Sequence, residues 1–198
     1  MKITRGTFWK IMVALALFGG VLVATGIHKK IIRSVHFRLL NAGLVTPGKI
    51  DLAEFKRLDL PPAATEAFQL LDEEGNVHFL SEWESEVVFL NKWATWCAPC
   101  IAEMPSIQRL YENAGGQARF VMVTYDTDFE KAKHFKDRKG FTFPIYQVFG
   151  FEPETFKTPS IPATFVFLKK QKEMYRYVGM LNYDTSEFKD FLKQLNTP

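Results

Sequence analysis

Apolar residues along the chain fall into three patterns, and each predicts a different kind of element. The first is an uncharged run from Ile11 to Ile27. The second is a set of short blocks, Val87-Val88-Phe89-Leu90, Phe120 to Tyr125 and Thr164 to Leu168, with the length and the β-branched and aromatic content of buried strands. The third has helical spacing: Ile101, Met104, Ile107 and Leu110; then Phe129 to Arg138 with Phe129, Ala132, His134 and Phe135; then Ser186 to Leu195 with Phe188, Phe191, Leu192 and Leu195. Between them, Phe68 to Leu71 and Val77 to Leu80 flank Asp72-Glu73-Glu74-Gly75-Asn76, which reads as a hairpin. Thr164 to Leu168 and Met174 to Val178 form a second antiparallel pair around Lys169 to Glu173. The order strand, helix, strand, helix from Val87 to Arg138 implies a parallel core.

The uncharged run reads as a membrane segment. Its 17 residues make a helix of roughly 25 Å, a little short of the ~30 Å hydrocarbon core, but Trp9 can sit at the interface and Lys10 can snorkel. A cleaved signal peptide, cut near Ala24-Thr25-Gly26, is the alternative. The run is longer than the usual signal core and basic residues follow at once, which favours a retained anchor. Ile31, Ile32, Val35 and Leu39 then share one helical face, either lying along the membrane surface or continuing the helix onto the folded part. Thr46-Pro47-Gly48 is a turn, Asp51 caps a short helix to Leu58, and Pro61-Pro62 opens the globular part. The expected organisation is an anchor at 1–27, a juxtamembrane helix and linker at 28–60, and a folded domain at 61–198.

Charge sharpens this division. The formal net charge is +3, yet residues 1–50 hold eight Lys and Arg and no acid, leaving 17 basic against 22 acidic residues from 51 onward, a net −5. The basic end suits anionic lipid headgroups, and the acidic folded part argues against a nucleic-acid partner. Lys2, Arg5, Lys10 and the amino terminus on one side of the run balance Lys29, Lys30, Arg33 and Arg38 on the other, so charge does not orient it.

Both cysteines lie in Trp93 to Pro105, WATWCAPCIAEMP, where a strand hands over to a helix. The first helical turn presents unpaired N–H groups and the positive end of the helix dipole, which stabilise a thiolate. Cys97, near the N-cap, is the candidate nucleophile, with a pKa below the free value of roughly 8.5. Pro99 fits the first turn, where its missing N–H costs nothing, and Cys100 lies one turn inward as the resolving thiol, close enough to bridge. A structural zinc site would need about four N or S ligands, and no His pair follows. The 138 residues from 61 to 198, in a chain with nineteen phenylalanines, can bury a core without staples, so a disulfide here is free to open and close. An incidental disulfide, or a tethered binding module whose cysteines are incidental, is the competing reading.

The stretch FLNKWATWCAPCIAEMP resembles the motif FLNFWATWCxPCxxExP of TlpA/ResA-type membrane-anchored, thioredoxin-like thiol–disulfide oxidoreductases, departing from it at Lys92. The similarity continues through Phe68, Leu70, Asp72 and Gly75, through Gly140, Phe143 and Pro144, and through Ile161 to Phe165, covering about residues 65 to 195. It implies an α/β thioredoxin fold with an N-terminal β-hairpin extension and a central insertion, preceded by one transmembrane helix. It also implies a bacterial inner-membrane location with the C-terminal domain facing the periplasm. Glu103, one turn after Cys100, is placed to exchange a proton with the resolving thiol, and the family motif carries Glu there. By similarity Pro162 follows a cis bond facing the disulfide, leaving the Ile161 backbone to pair with an incoming extended chain. Trp96, Ala98, Pro99, Ile161 and Pro162 are thus the candidate substrate-binding residues.

Trp93 reads as core. Asn91 stands where thioredoxins carry a buried acid, and its neutrality favours Glu103 as proton relay. Pro105 should kink its helix. Lys92, pointing out of a strand, reads as solvated rather than as a modulator of the thiol. His78, His134, Asp126 and Asp128 read as structural or surface.

The resemblance implies that Cys97 attacks a partner's disulfide and Cys100 resolves the mixed disulfide. A membrane thiol donor then re-reduces the pair, and no cofactor or metal is needed. Apocytochrome c, other exported thiol proteins and factors relieving oxidative damage are the implied clients. A disulfide donor is the alternative direction, and a copper-binding metallochaperone of the same fold the alternative class.

Overall fold

The computed structural model describes Trp9, Gly48 and residues 51–83, 87–113, 116–168 and 172–196. Apart from Trp9, the expected anchor at 1–27 and the amphipathic segment after it lie outside these residues. Among the described residues, no helix is long and apolar enough to cross a membrane.

The described strands are β1 (Lys56–Asp59), β2 (Gln69–Leu71), β3 (Val77–Phe79), β4 (Val87–Trp93), β5 (Arg119–Thr124), β6 (Ile145–Phe149), β7 (Ala163–Leu168) and β8 (Glu173–Val178). The α-helices are α1 (Pro62–Ala67), α2 (Ala98–Asn113), α3 (Phe129–Lys139) and α4 (Ser186–Asn196). They build a mixed eight-stranded sheet in the order β1-β8-β7-β4-β5-β6-β2-β3. β4 runs parallel to β5 and β5 to β6, while β7 joins β4 antiparallel. The expected core is therefore present as β4-α2-β5 and β7-β8-α4, with α3 and β6 inserted between the two units.

Every residue of β4 is buried. The reason is cover on both faces. Phe89 and Trp93 meet α2, α3 and α4 through Ile107, Phe135 and Phe188, whereas Val88 and Leu90 face Phe68, Trp83, Phe156 and Phe165. Such a strand reads as a continuous apolar run instead of an alternation.

Hairpin β2–β3 pairs Gln69 with Phe79 and Leu71 with Val77, as its flanking pattern predicts. Its turn is held by Asp72, whose Oδ1 accepts from the N–H groups of Glu74 and Asn76, and by Gly75 at φ 89°. Lys136 of α3 donates to Glu73 at 2.6 Å and ties that helix to the hairpin.

Two expectations change. The helix expected from Asp51 to Leu58 is only a 3₁₀ turn, Leu52–Glu54, capped by Asp51 Oδ1 accepting from Ala53 N–H at 2.9 Å. Phe55 then turns extended and buries against Tyr177, Phe188 and Phe191, so Lys56–Asp59 add to the sheet beside β8. Residues 56–59, expected to be linker, belong to the folded unit. β6 was not anticipated at all; β2 pairs with it, Gln69 opposite Phe149, and this joins the hairpin to the core.

Candidate active site

β4 delivers the chain to the site at Trp93, and four residues later Cys97 caps α2. Cys97 N–H donates to Ala94 O at 3.1 Å, and its own carbonyl accepts from Ile101 N–H at 3.1 Å, the first helical hydrogen bond. Cys97 and Cys100 form a disulfide with an S–S distance of 2.05 Å and Cα atoms 5.3 Å apart. Cys100 N–H points at Cys97 Sγ from 3.3 Å. That amide, with the dipole behind it, is what would hold a thiolate on Cys97. Cys97 is 5% exposed and Cys100 fully buried, so the outer sulfur is the more accessible of the two.

Ile161 closes the other side, its carbonyl oxygen 3.8 Å from Cys97 Sγ, and the Ile161–Pro162 bond is cis. Trp96 projects into solvent with 61% of its surface exposed. Ala98 and Pro99 are half-buried at the first turn, and Pro162 is buried behind Ile161. Beside the sulfurs a groove of about 520 Å³ is lined by Trp96, Tyr125, Glu152, Lys157, Ser160 and Ile161.

Glu103 is fully buried one turn beyond Cys100. Its Oε1 accepts from Asn91 Nδ2 at 2.8 Å and its Oε2 from Leu181 N–H at 3.2 Å. Burial raises its pKa to about 8 against those two hydrogen bonds. A carboxyl tuned there is matched to an ordinary thiol near 8.5, so a proton passes between the two at little cost. Asn91 also donates to Thr164 Oγ1 at 3.0 Å, and Thr164 shares a 2.6 Å hydrogen bond with buried Tyr183. Trp93 is core, against Phe135. α2 is one continuous element through Pro105 to Asn113.

Lys92 departs from expectation. It is fully buried: its ammonium pairs with Glu152, donates to Phe156 O, and lies 5.4 Å from the Tyr125 ring centre. The solvated reading assumed one wet face, but the face of β4 that carries Lys92 is covered by the segment 150–156. Burial pulls its pKa down, and Glu152 opposes that shift.

Three residues that frame the sulfurs are not among the expected site residues. Asp126, read as structural or surface, fixes the active-site loop: it accepts from Thr95 N–H and from Thr95 Oγ1, both at 2.7 Å. Tyr125 donates to Glu152 at 2.6 Å, and both line the groove. All lie just beyond the C-terminal ends of parallel strands, where α/β sheets gather their sites, and that position was the available signal. His78, by contrast, sits between Asp72 and Glu82 in the hairpin, and Asp128 caps α3. Among the described residues, no group of three or more His, Cys, Asp and Glu is placed to hold a metal.

A disulfide capping the helix after a central parallel strand, faced by a cis-proline loop, defines a thioredoxin-like dithiol–disulfide protein. The chain belongs to the Redoxin family, which it matches over residues 59–195. It is 37% identical over 111 residues to the thiol-disulfide oxidoreductase ResA of Oceanobacillus iheyensis, covering 54% of this chain and 57% of that protein. It is 31% identical over 130 residues to ResA of Halalkalibacterium halodurans, covering 64% and 73%. The chain spans about half the length of the ResA proteins it matches first. In fold it is similar to a secreted Mycobacterium tuberculosis disulfide oxidoreductase homologous to Escherichia coli DsbE, with a TM-score of 0.57, 17% identity, and coverage of 68% of this chain and all of that one.

Proposed function

We propose that this chain is a membrane-anchored, extracytoplasmic thiol–disulfide oxidoreductase that reduces protein disulfides through Cys97 and Cys100. The observation that carries the reading is the disulfide itself, its outer sulfur at a helix N-terminus beside Ile161 and an open groove, with Glu103 buried behind. In the reduced protein, the Cys97 thiolate attacks one sulfur of a partner disulfide; that bond breaks, and the partner's other sulfur leaves as a thiolate and takes a proton. Cys100 then gives its proton to the Glu103 carboxylate and attacks Cys97 Sγ. The mixed disulfide breaks, the second partner thiol leaves, and two electrons have passed from this protein to its partner. A membrane dithiol donor reverses the exchange to regenerate Cys97 and Cys100, while the run from Ile11 to Ile27 keeps the protein beside that donor. The ResA names of its relatives support the chemistry, and apocytochrome c or other exported thiol proteins are the clients it suits.

Equilibration of the full chain with glutathione or dithiothreitol buffers tests this. A reduction potential at or below about −230 mV fits a reductase, whereas one near about −120 mV would make the same pair a disulfide donor.

A further inference from the structure

Among the described residues, two charged side chains line the groove beside the disulfide, Glu152 and Lys157, and each is answered by a neighbour. Lys157 pairs with Glu154 at the rim. Glu152 pairs from below with Lys92, which has no exposed surface, and accepts from Tyr125 Oη on both carboxylate oxygens at 2.6 Å. The Lys92 ammonium also lies 5.3 Å from the Phe165 ring centre. An ammonium taken wholly out of water persists only when paired and hydrogen-bonded. Here its partner is a groove wall. The neighbours of Lys92 on this face of β4 are apolar, Leu90 and Val88 among them, so packing alone does not call for a charge at this position. What Lys92 does is cancel a carboxylate that would otherwise face the incoming chain.

We infer that Glu152 and Lys92 together set the partner specificity of this site: the groove takes an extended polypeptide segment with an uncharged, apolar residue next to its reacting cysteine. This rests on the thiol–disulfide reading above. The side chain of that residue lies between Trp96, Tyr125 and Ile161, and Glu152, 15% exposed, forms a neutralised wall behind it. Charged flanking residues find no counter-charge to replace their water, and this disfavours them. Glu152 is the specificity-determining residue, and Lys92 is a positioning residue that acts through it.

The test uses the full chain, dithiothreitol as reductant, and three symmetric peptide disulfides whose residue before cysteine is Phe, Lys or Glu. Hydroxyethyl disulfide reports the underlying exchange. The wild-type protein should show kcat/KM for the Phe peptide about tenfold or more above the other two. Lys92→Met leaves the Glu152 carboxylate uncompensated, so the Lys-to-Phe ratio should rise about tenfold. Glu152→Gln leaves the Lys92 ammonium uncompensated behind the groove wall, so the Glu-to-Phe ratio should rise instead. The double variant should return to the wild-type order. Because the two single variants shift opposite ratios, Glu152→Gln alone decides should Lys92→Met fail to fold. Wild-type rates within twofold of one another for all three peptides, or ratios unmoved in the single variants, would overturn the inference and leave the exchange chemistry standing. Failure to reduce even hydroxyethyl disulfide would overturn the underlying reading, and this inference with it.

Discussion

Replacing Glu103 with Gln isolates the cost of a carboxylate that water does not reach. In the unfolded chain this group ionises above about 4.5; in the folded chain burial holds the proton on until about 8. A folded pKa above the unfolded one gives stability that is complete below about 4.5 and lost as pH rises through about 8. Each pH unit in that window is worth about 1.4 kcal/mol, so the loss approaches a ceiling of about 5 kcal/mol. Gln keeps the shape and cannot ionise, so the variant lacks this loss.

Denaturant unfolding of the oxidised full chain from pH 4.5 to 8.5 reads the effect as variant minus wild type. His78, whose pKa its hydrogen bond to Asp72 raises, loses stabilisation in the same direction, but it titrates identically in both proteins and cancels. The difference should climb with pH toward the ceiling. Parallel profiles would refute the burial argument. The same substitution removes the acceptor proposed for the Cys100 proton, so resolution of a mixed disulfide should slow by about 10²-fold or more.

Other substitutions probe the frame around the sulfurs. Asp126→Ala removes the acceptors for Thr95 N–H and Thr95 Oγ1 and should cost about 3 kcal/mol in denaturant unfolding; a loss below about 0.5 kcal/mol would show that the loop holds itself. Phe156→Ala empties a fully buried site between Phe68, Phe165 and Phe167 and should cost about 3–5 kcal/mol by the same assay. Deletion of residues 1–27 should move the expressed protein from the membrane fraction to the soluble one, and its retention on membranes would count against the anchor.

The elements that were legible in the sequence are those whose burial is one-sided or complete. β4 reads as a run of apolar residues because both its faces are covered, and α3 carries its own punctuation, the Asp128 N-cap and Gly140 at φ 70°. β1 was not legible because it is an edge strand, Lys-Arg-Leu-Asp, with three of its four residues exposed and Leu58 its single apolar position, too few for any period. Charge on an edge strand blocks further pairing, so the feature that protects such a strand also hides it. Lys92 failed for the converse reason: alternation along a strand assigns a side to each residue but does not say whether that side is wet.

The omissions around the site share a single origin. β4, β5 and β6 run parallel and end together, and their C-terminal extensions carry Cys97, Tyr125 with Asp126, and Glu152. The first two strands were predicted, so residues beside the disulfide were already implied at 125 and 126. β6 was not, because Ile-Tyr-Gln-Val-Phe is short and alternates only weakly. Without β6 there is no reason to bring residue 152 near residue 97. With it, parallel pairing of Thr124 with Gln147 sets Glu152 at the same end of the sheet as the sulfurs. Lys92, one residue before the end of β4, then has a partner, and its burial follows. The misreading of Lys92 and the silence about Glu152 are consequences of one unrecognised strand, and the pairing of buried Lys92 with the groove residue Glu152 depends on that strand's register.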